Sequence, residues 1–524
     1  MDKTKKFLMN AVLLSAVSVA ARFISVSFNA HVALKVGEEC MGLFSLVASV
    51  FSLSVIIASA GANLAVVRTV SEAVAKCEAE GADPAPHLRR IVRAAVAYSL
   101  IFGTAAGGAV YIFSVPIAEK LLCDVRCVMS LRAFAVSLPA ISLSSALAGY
   151  FTGIGKIYKN AVCTFAEEAG KILVISAGLV LIAPRGIEYA CLAIVGGGAA
   201  AQALSLVTAI IIYLTDKKKR GGKEEKRAKR PGPVFGKIAK LALPVAVGNA
   251  ARNGLITAEH LAIPRGLRAF GMTNSAALAV YGVFQGMVMP VVLFPSVVLY
   301  SFAGLLVPEL ASCRAVGNTE RIARIEEKVF RSSLLFSICV AGVLLSFSDG
   351  IGYELYRSVE ASRQIHLLAL LVPVMYLDSA VDGMLKGLGE EVYCMRVNVL
   401  DSALCLVLVF ILVPKYGIDG FIALTIISEL VNAALSIIRL LKIAPVKFNV
   451  FKWLFLPVAS VSAATFAVKL LSSALPSTPL TVRIVLAVAL YGVLCFATGA
   501  VGKRDARWFL SLFRNRSGKL KVES

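Results

Sequence analysis

Apolar stretches of about 20 residues recur along the whole sequence, and they leave few choices of fold. A helix that crosses about 30 Å of hydrocarbon needs about 20 mostly apolar residues. Of the 524 residues, 58% are hydrophobic and 16% are charged, and the mean hydropathy is +0.80. Soluble domains are about 45–50% apolar and about 25% charged. We therefore predict an all-α, polytopic membrane protein.

The apolar pattern predicts about fourteen transmembrane helices. The first resembles a secretory signal, with Lys3 and Lys5 ahead of an apolar run, but the run continues past Arg22, and we predict a retained helix. The predicted spans are 7–34, 40–66, 91–115, 128–153, 160–183, 187–214, 237–262, 277–306, 329–348, 364–387, 392–413, 418–441, 452–473 and 481–501.

Basic residues concentrate in the connections that follow even-numbered spans. The strongest example is the cluster at 217–230, whereas the connection after the eleventh span carries only Lys415. Positively charged loops stay on the cytoplasmic side. The charge distribution therefore predicts a multi-pass protein of the cytoplasmic membrane with both termini in the cytoplasm.

The basic segment 216–233 separates two apolar halves that share a pattern. GYFTGIGK (149–156) and GMLKGLGE (383–390) have the same glycine spacing, and each precedes a span that ends in a Pro/Gly turn, at 184–188 or 414–419. The repeat predicts two pseudo-symmetric six-helix lobes plus a C-terminal helix pair. The predicted domains are a lobe at 1–214, a basic linker at 215–236, a lobe at 237–445, a helix pair at 446–501 and a basic tail at 502–524.

Polar residues at membrane depth indicate a cavity between the two lobes. Parallel repeats are typical of secondary transporters with a site near the membrane midplane. Arg22, Ser25 and Asn29 share one face of the first span. Arg252 lies 230 residues later, at the same depth of the seventh span. Two facing guanidinium groups would bind a phosphate or pyrophosphate; the alternative is that each arginine pairs with a carboxylate or carbonyl for structural reasons.

Intramembrane acids are candidates for coupling to an ion. Glu259 follows Arg252 by two turns, as its partner or as a proton-coupling carboxylate. Asp378, Asp382 and Lys386 share one face of the tenth span. The two aspartates would bind a coupling cation; the alternative is that Asp382 and Lys386 form a solvated ion pair.

The sequence carries no pattern for catalysis, cofactors or metals. It has no phosphate-binding G-x-x-x-x-G-K-[ST] loop. The four histidines are dispersed, and the eleven cysteines form neither a disulfide framework nor a zinc pattern. The net charge of +22 is spread over short segments between spans, which argues against nucleic-acid binding. We expect neither enzymatic activity, nor a cofactor, nor a metal site.

Several runs resemble the stage V sporulation protein B family, oligosaccharide flippases of the multidrug/oligosaccharidyl-lipid/polysaccharide superfamily. The runs are EHLAIPRGLRAFG (259–271), YGVFQGMVMPVVLFP (281–295), FAGLLVPEL (302–310) and VPVMYLDSAVDGMLKGLGEEVY (372–393). The resemblance implies two six-helix lobes in a V that move a polyprenyl-pyrophosphate-linked saccharide between leaflets. Related lipid II flippases have cationic cavities, and Arg22 stands where one of their arginines would fall. Phe28-Asn29 replaces the next one.

We therefore predict a flippase for a polyprenyl-pyrophosphate-linked oligosaccharide or peptidoglycan precursor, working by alternating access. Its expected partners are the lipid-linked glycan, membrane lipids, and a coupling cation or the membrane potential; the oligomeric state stays open. The alternatives are a cation-coupled multidrug exporter of the same superfamily and a non-transporting scaffold for envelope or spore assembly. A drug exporter favours acids over arginines in its cavity, and a scaffold needs no buried arginine pair.

Overall fold

The computed structural model describes residues 3–81, 83–156, 158–219, 234–299, 310–443, 445, 448–474 and 478–500, without the side chains of 3–21, 78 and 217–219. Its main helices are α1 (Lys3–Ser59), α2 (Ala62–Glu80), α3 (Ala85–Ile112), α4 (Val128–Gly153), α5 (Tyr158–Leu181), α6 (Ile187–Lys219), α7 (Val234–Ala269), α8 (Asn274–Gly282), α9 (Thr319–Tyr356), α10 (Val359–Ala369), α11 (Val372–Gly387), α12 (Glu391–Ile443), α13 (Leu456–Ala474) and α14 (Leu480–Ala497). Shorter π- and 3-10 helices connect them. Residues 220–233 of the predicted linker and the tail 502–524 lie outside the described residues.

The predicted all-α membrane fold is confirmed. Among the described residues, ten helices are long and apolar enough to cross a membrane, or eleven if the bent pair α10 and α11 forms one span. The helix α1 breaks at Gly37 and α12 breaks at Gly417, both with positive φ. Each break lies between two predicted spans. It falls on a glycine because only glycine adopts this backbone conformation at no steric cost.

Two predicted spans differ in detail from the structure. The second predicted span, 40–66, ends at Ser59, which is the end of α1. Ala60 and Gly61 have φ values of 41° and 71°, and these values end the helix. The predicted continuous span 364–387 is two helices bent by 59°. Pro373, in the first turn of α11, lacks the N–H that would continue the helical hydrogen-bond ladder.

The described residues pack into two compact units. Unit 1 comprises Met1–Phe294 with Asn398–Thr425, and unit 2 comprises Pro295–Val397 with Ile426–Ser524. Their extents differ from those of the predicted lobes 1–214 and 237–445, and the lobe assignment stays a prediction.

The repeated glycine motif forms the same helix end twice. Gly155 and Gly389 have φ values of 72° and 74°. The next residue, Lys156 or Glu390, donates its backbone N–H to a carbonyl five residues back at 2.9 Å in both copies. In this glycine-dependent helix end, a carbonyl group of the last turns accepts a hydrogen bond that the helix itself does not supply. The sequence match therefore reflects one backbone structure.

Opposite charges follow these two helix ends. Lys156 Nζ lies 3.2 Å from Asp216 near the end of α6. Glu390 lies 2.7 Å from Arg439 near the end of α12, and 3.3 Å from Arg314. The hydrogen bond from Arg439 is the main reason that the pKa of Glu390 is lowered. Both pairs tie the turn to a neighbouring helix, with the polarity reversed.

Candidate functional site

A cavity of about 370 Å³ lies inside unit 1. Both halves of α1 line it, together with α7, the π-helix Val283–Val288, Pro290, two residues of α5 and one of α6. Its polar lining residues are Arg22, Ser25, Asn29, Ser45, Ser49, Ser52, Lys171, Asn253, Thr257, His260 and Gln285. Sites for small ligands have volumes of about 300–1,000 Å³, so this cavity is large enough for a small polar headgroup.

The predicted polar stripe of the first span lines this cavity. Arg22, Ser25 and Asn29 all contribute to its wall. The Asn29 side-chain amide donates to the carbonyl of Gly286 at 2.8 Å, which fixes α1 against the π-helix. Arg22 is exposed and has no hydrogen bond or ion pair with any described residue. Its guanidinium is therefore available to a ligand.

Lys171 is a second cation of the cavity, and the sequence analysis missed it. It lies on α5, and its Nζ is 3.8 Å from Glu168 on the same helix. The side chain is 36% exposed. The available signal was a lysine in the middle of the predicted fifth span, since charged groups at membrane depth usually face an aqueous cavity.

The lining of the cavity favours an anion. Among the described residues that line it, none is an aspartate or glutamate, while Arg22 and Lys171 carry positive charge. The hydroxyl and amide groups around them add hydrogen-bond donors. Phosphate oxygens form strong charge-assisted hydrogen bonds with arginine and lysine, so a phosphorylated headgroup suits this lining.

Arg252 is placed differently from its predicted partner. It is exposed, and its Nη2 donates to Oδ1 of Asn398 at 2.9 Å. The next residue, Asn253, lines the cavity, but Arg252 is not among the described lining residues. The structure therefore does not bring Arg22 and Arg252 to one cavity wall, and the two-arginine clamp stays a prediction.

Glu259 has no hydrogen bond or ion pair with Arg252 among the described residues. The adjacent His260 lines the cavity, and its Nδ1 lies 2.7 Å from the hydroxyl of the buried Tyr281. A role of Glu259 in coupling stays a prediction.

Asp378 and Asp382 lie in unit 2. Asn432 donates to Oδ2 of Asp378 at 3.1 Å. Lys386 Nζ is 2.6 Å from Oδ2 of Asp382, which matches the ion pair considered from the sequence. Coupling through Asp378 or Asp382 stays a prediction.

A group of polar contacts lies at the Gly37 break of α1, and we call it the Glu39 network; it is made of Glu39, Asp124, Arg126, Asn274 and Ser275. We call this part of unit 1 the Glu39 end. Glu39 is 2.9 Å from Arg126 and 2.5 Å from Ser275. Asn274 contacts Asp124 at 3.3 Å, and Arg126 contacts it at 2.7 Å. The connection between α3 and α4 is thereby tied to α1 and α8.

Backbone contacts tighten the same end. Arg265 of α7 donates to the carbonyls of Lys120 and Leu121. A side chain added at Gly42 would overlap the carbonyl of Leu278. One added at Gly282 would overlap the backbone of Glu38 and Gly42. Glycine at these positions allows α1 and α8 to touch.

A second group of contacts lies at the start of α7, where an apolar cluster adjoins a polar contact that we call the Glu72 bridge, made of Arg68, Glu72 and Lys237. We call this part of unit 1 the Glu72 end. Lys237 Nζ is 2.6 Å from Glu72, and Arg68 Nε is 3.1 Å from it. The cluster joins residues 60–70 to Ile238 and Ala242 of α7. The cavity-lining residues of α7, between 253 and 260, lie between this cluster and Arg265.

Comparison with known proteins shows similarity to a polysaccharide biosynthesis family and to a sporulation protein. Residues 7–231 match the polysaccharide biosynthesis protein family. The chain is 24% identical to stage V sporulation protein B of Bacillus subtilis (strain 168) over 436 residues, 82% of each chain. The resemblance predicted from the sequence is confirmed.

The fold is that of two solved transporters. The lipid II flippase MurJ in an inward closed conformation matches with a TM-score of 0.64 at 14% identity, over 92% of this chain and 98% of the other. An inward-facing multidrug resistance MATE family transporter of the MOP superfamily matches with a TM-score of 0.59 at 14% identity, over 81% and 98%. At this identity, the two structures establish the fold alone.

Proposed function

We propose that this chain is a flippase that moves a polyprenyl-pyrophosphate-linked oligosaccharide or peptidoglycan precursor across the cytoplasmic membrane by alternating access. One observation carries the proposal. Arg22 and Lys171 line the cavity, and no aspartate or glutamate is among its described lining residues. The similarity to stage V sporulation protein B and the fold shared with a lipid II flippase support the same substrate class.

The pyrophosphate would bind the two cations of the cavity. Arg22 offers a planar guanidinium without a partner among the described residues, and Lys171 offers an ammonium group 3.8 Å from Glu168. Together they balance the charge of a pyrophosphate better than one cation does. The neutral donors around them, such as Asn253 and Gln285, are suited to sugar hydroxyls.

The proposed orientation places the Glu72 end in the cytoplasm and the Glu39 end outside, because the basic connections follow even-numbered spans. Both termini are then cytoplasmic. A substrate made in the cytoplasm would reach the cavity past the Glu72 bridge and leave past the Glu39 network.

The drug-exporter alternative fits the cavity less well. An exporter of cationic drugs requires negative charge where the drug binds, and no described lining residue supplies it. The scaffold alternative gives no reason for an unpartnered arginine in the cavity, which is costly at membrane depth.

The test is transport by the full chain in liposomes, scored as the appearance of a fluorescent polyprenyl-pyrophosphate-linked saccharide in the opposite leaflet. Per folded molecule, Arg22→Ala and Lys171→Ala should each lower transport about 10- to 100-fold, the range for a lost hydrogen bond between charged groups. Arg22→Lys should retain part of the activity, because the charge stays while the bidentate geometry is lost.

Arg252→Ala is the matched control, since Arg252 bonds to Asn398 and is not among the lining residues. Near-normal transport in Arg252→Ala favours the Arg22 and Lys171 pair, whereas a loss equal to that of Arg22→Ala restores the two-arginine clamp. Robust drug efflux without movement of any lipid-linked saccharide would reverse the proposal. Imposed voltage and cation gradients, applied to Asp378→Asn and Asp382→Asn as well, identify the driving force.

A further inference from the structure

Two cations share one carboxylate in the Glu72 bridge. Glu72 lies 3.1 Å from Arg68, one turn earlier on α2, and 2.6 Å from Lys237 at the start of α7. The side chains are between 37% and 66% exposed, so a solute can reach them. Because two positive charges face one negative charge, an additional anion is attracted to this place.

The bridge and the apolar cluster join the same two elements. Ile238, next to Lys237, packs into the cluster with Val66 and Val70 of α2. A Cβ added at Gly61 would lie 2.6 Å from the carbonyl oxygen of Ala242. Because α7 lies this close, it cannot separate from α2 without breaking the contact between Lys237 and Glu72.

An exposed ion pair adds little stability, so the apolar cluster supplies most of the contact between α2 and α7, and the bridge can exchange partners. A phosphate group is a strong competitor for Glu72. It accepts bidentate hydrogen bonds from arginine and attracts lysine as a point charge.

We propose that Arg68 and Lys237 are the first binding site for the pyrophosphate headgroup, and that the phosphate takes the place of Glu72. The inference rests on the proposed function, which supplies the substrate. When the phosphate replaces Glu72, the direct ion pair between Lys237 and α2 becomes a contact through the ligand. Arg22 and Lys171 then form the second binding site.

Transport kinetics test the site in the full chain. Lys237→Gln and Arg68→Gln should each raise KM for the lipid-linked saccharide about three- to tenfold, as expected for one lost exposed charge contact, with kcat within about twofold. Lys240→Gln is the matched control, because Lys240 is an exposed lysine on the same helix with no partner among the described residues. Lys237→Arg should keep KM near the wild-type value.

Amide hydrogen exchange tests the contacts of Lys237 without a transport assay. Glu72→Gln should speed amide exchange in residues 234–242, because the link to Lys237 is lost. Inorganic pyrophosphate added to the wild-type chain should slow exchange in the same segment, because it binds Lys237 and Arg68 together. In Lys237→Gln it should have no effect.

The outcomes separate this inference from the proposed function. Unchanged KM in both variants, together with no effect of pyrophosphate, overturns the first binding site. An effect of pyrophosphate with unchanged KM assigns the site to free pyrophosphate and overturns its role for the lipid. If the wild-type chain moves no lipid-linked saccharide but pyrophosphate acts through Lys237, the proposed function fails while the anion site stands.

Discussion

Two parts of unit 1, the Glu39 end and the Glu72 end, are held together by different physical means. At the Glu39 end, α1 and α8 touch through the backbones of Gly42 and Gly282, and a partly buried network adds charged hydrogen bonds. At the Glu72 end, α7 rests on an apolar cluster with one exposed bridge. Apolar contact is non-directional, whereas the polar network requires matched geometry. The two ends therefore differ in how strongly they depend on charged hydrogen bonds.

The largest expected effect comes from the glycine contact at the Glu39 end. Gly42→Ala or Gly282→Ala should lower the free energy of unfolding by about 1–3 kcal/mol or more, because the added methyl group overlaps backbone atoms that cannot move alone. Thermal unfolding in detergent measures this effect. Gly254→Ala is the control, since a Cβ there meets nothing within 4 Å. Equal stability of all three variants would mean that α1 and α8 are not in close contact.

The next effect should come from the Glu39 network. Glu39→Gln or Arg126→Gln should cost about 1–3 kcal/mol of stability, because each leaves a partly buried polar group without its partner. A double-mutant cycle isolates the interaction of the pair. A coupling energy near zero would show that the network only follows the glycine contact.

Gly61→Ala tests the Glu72 end. Both the positive φ and the proximity of Ala242 oppose a side chain there, so we expect faster amide exchange in residues 234–242 and a stability loss of about 1 kcal/mol or more. Gly81→Ala is the matched control, with a φ of 62° and nothing within 4 Å. If both variants behave alike, backbone strain explains the result and the approach of α7 does not.

The smallest stability effect should come from the bridge itself. Glu72→Gln should change the free energy of unfolding by only about 0–1 kcal/mol, because the pair is exposed and screened by salt. Thermal unfolding at low and high salt checks this. A loss as large as that of Glu39→Gln would erase the contrast between the two ends.

The sequence by itself determined the membrane fold and much of its local structure. Apolar runs predicted the spans, because a helix in lipid must satisfy its backbone internally and cover itself with apolar side chains. The glycine motifs at Gly155 and Gly389 predicted matching helix ends, because a positive φ requires glycine. Helical periodicity also placed Arg22, Ser25 and Asn29 on one face, and they line one cavity.

Tertiary structure alone decided what each polar face meets. Periodicity tells which residues share a side of one helix, but the direction of that side depends on how helices pack. Lys171 therefore lines the cavity although the sequence did not predict it. Arg252 donates to Asn398, while the next residue, Asn253, lines the cavity. The contacts at the Glu39 end and the Glu72 end depend equally on packing, because pairs such as Glu72 with Lys237 join residues 165 positions apart.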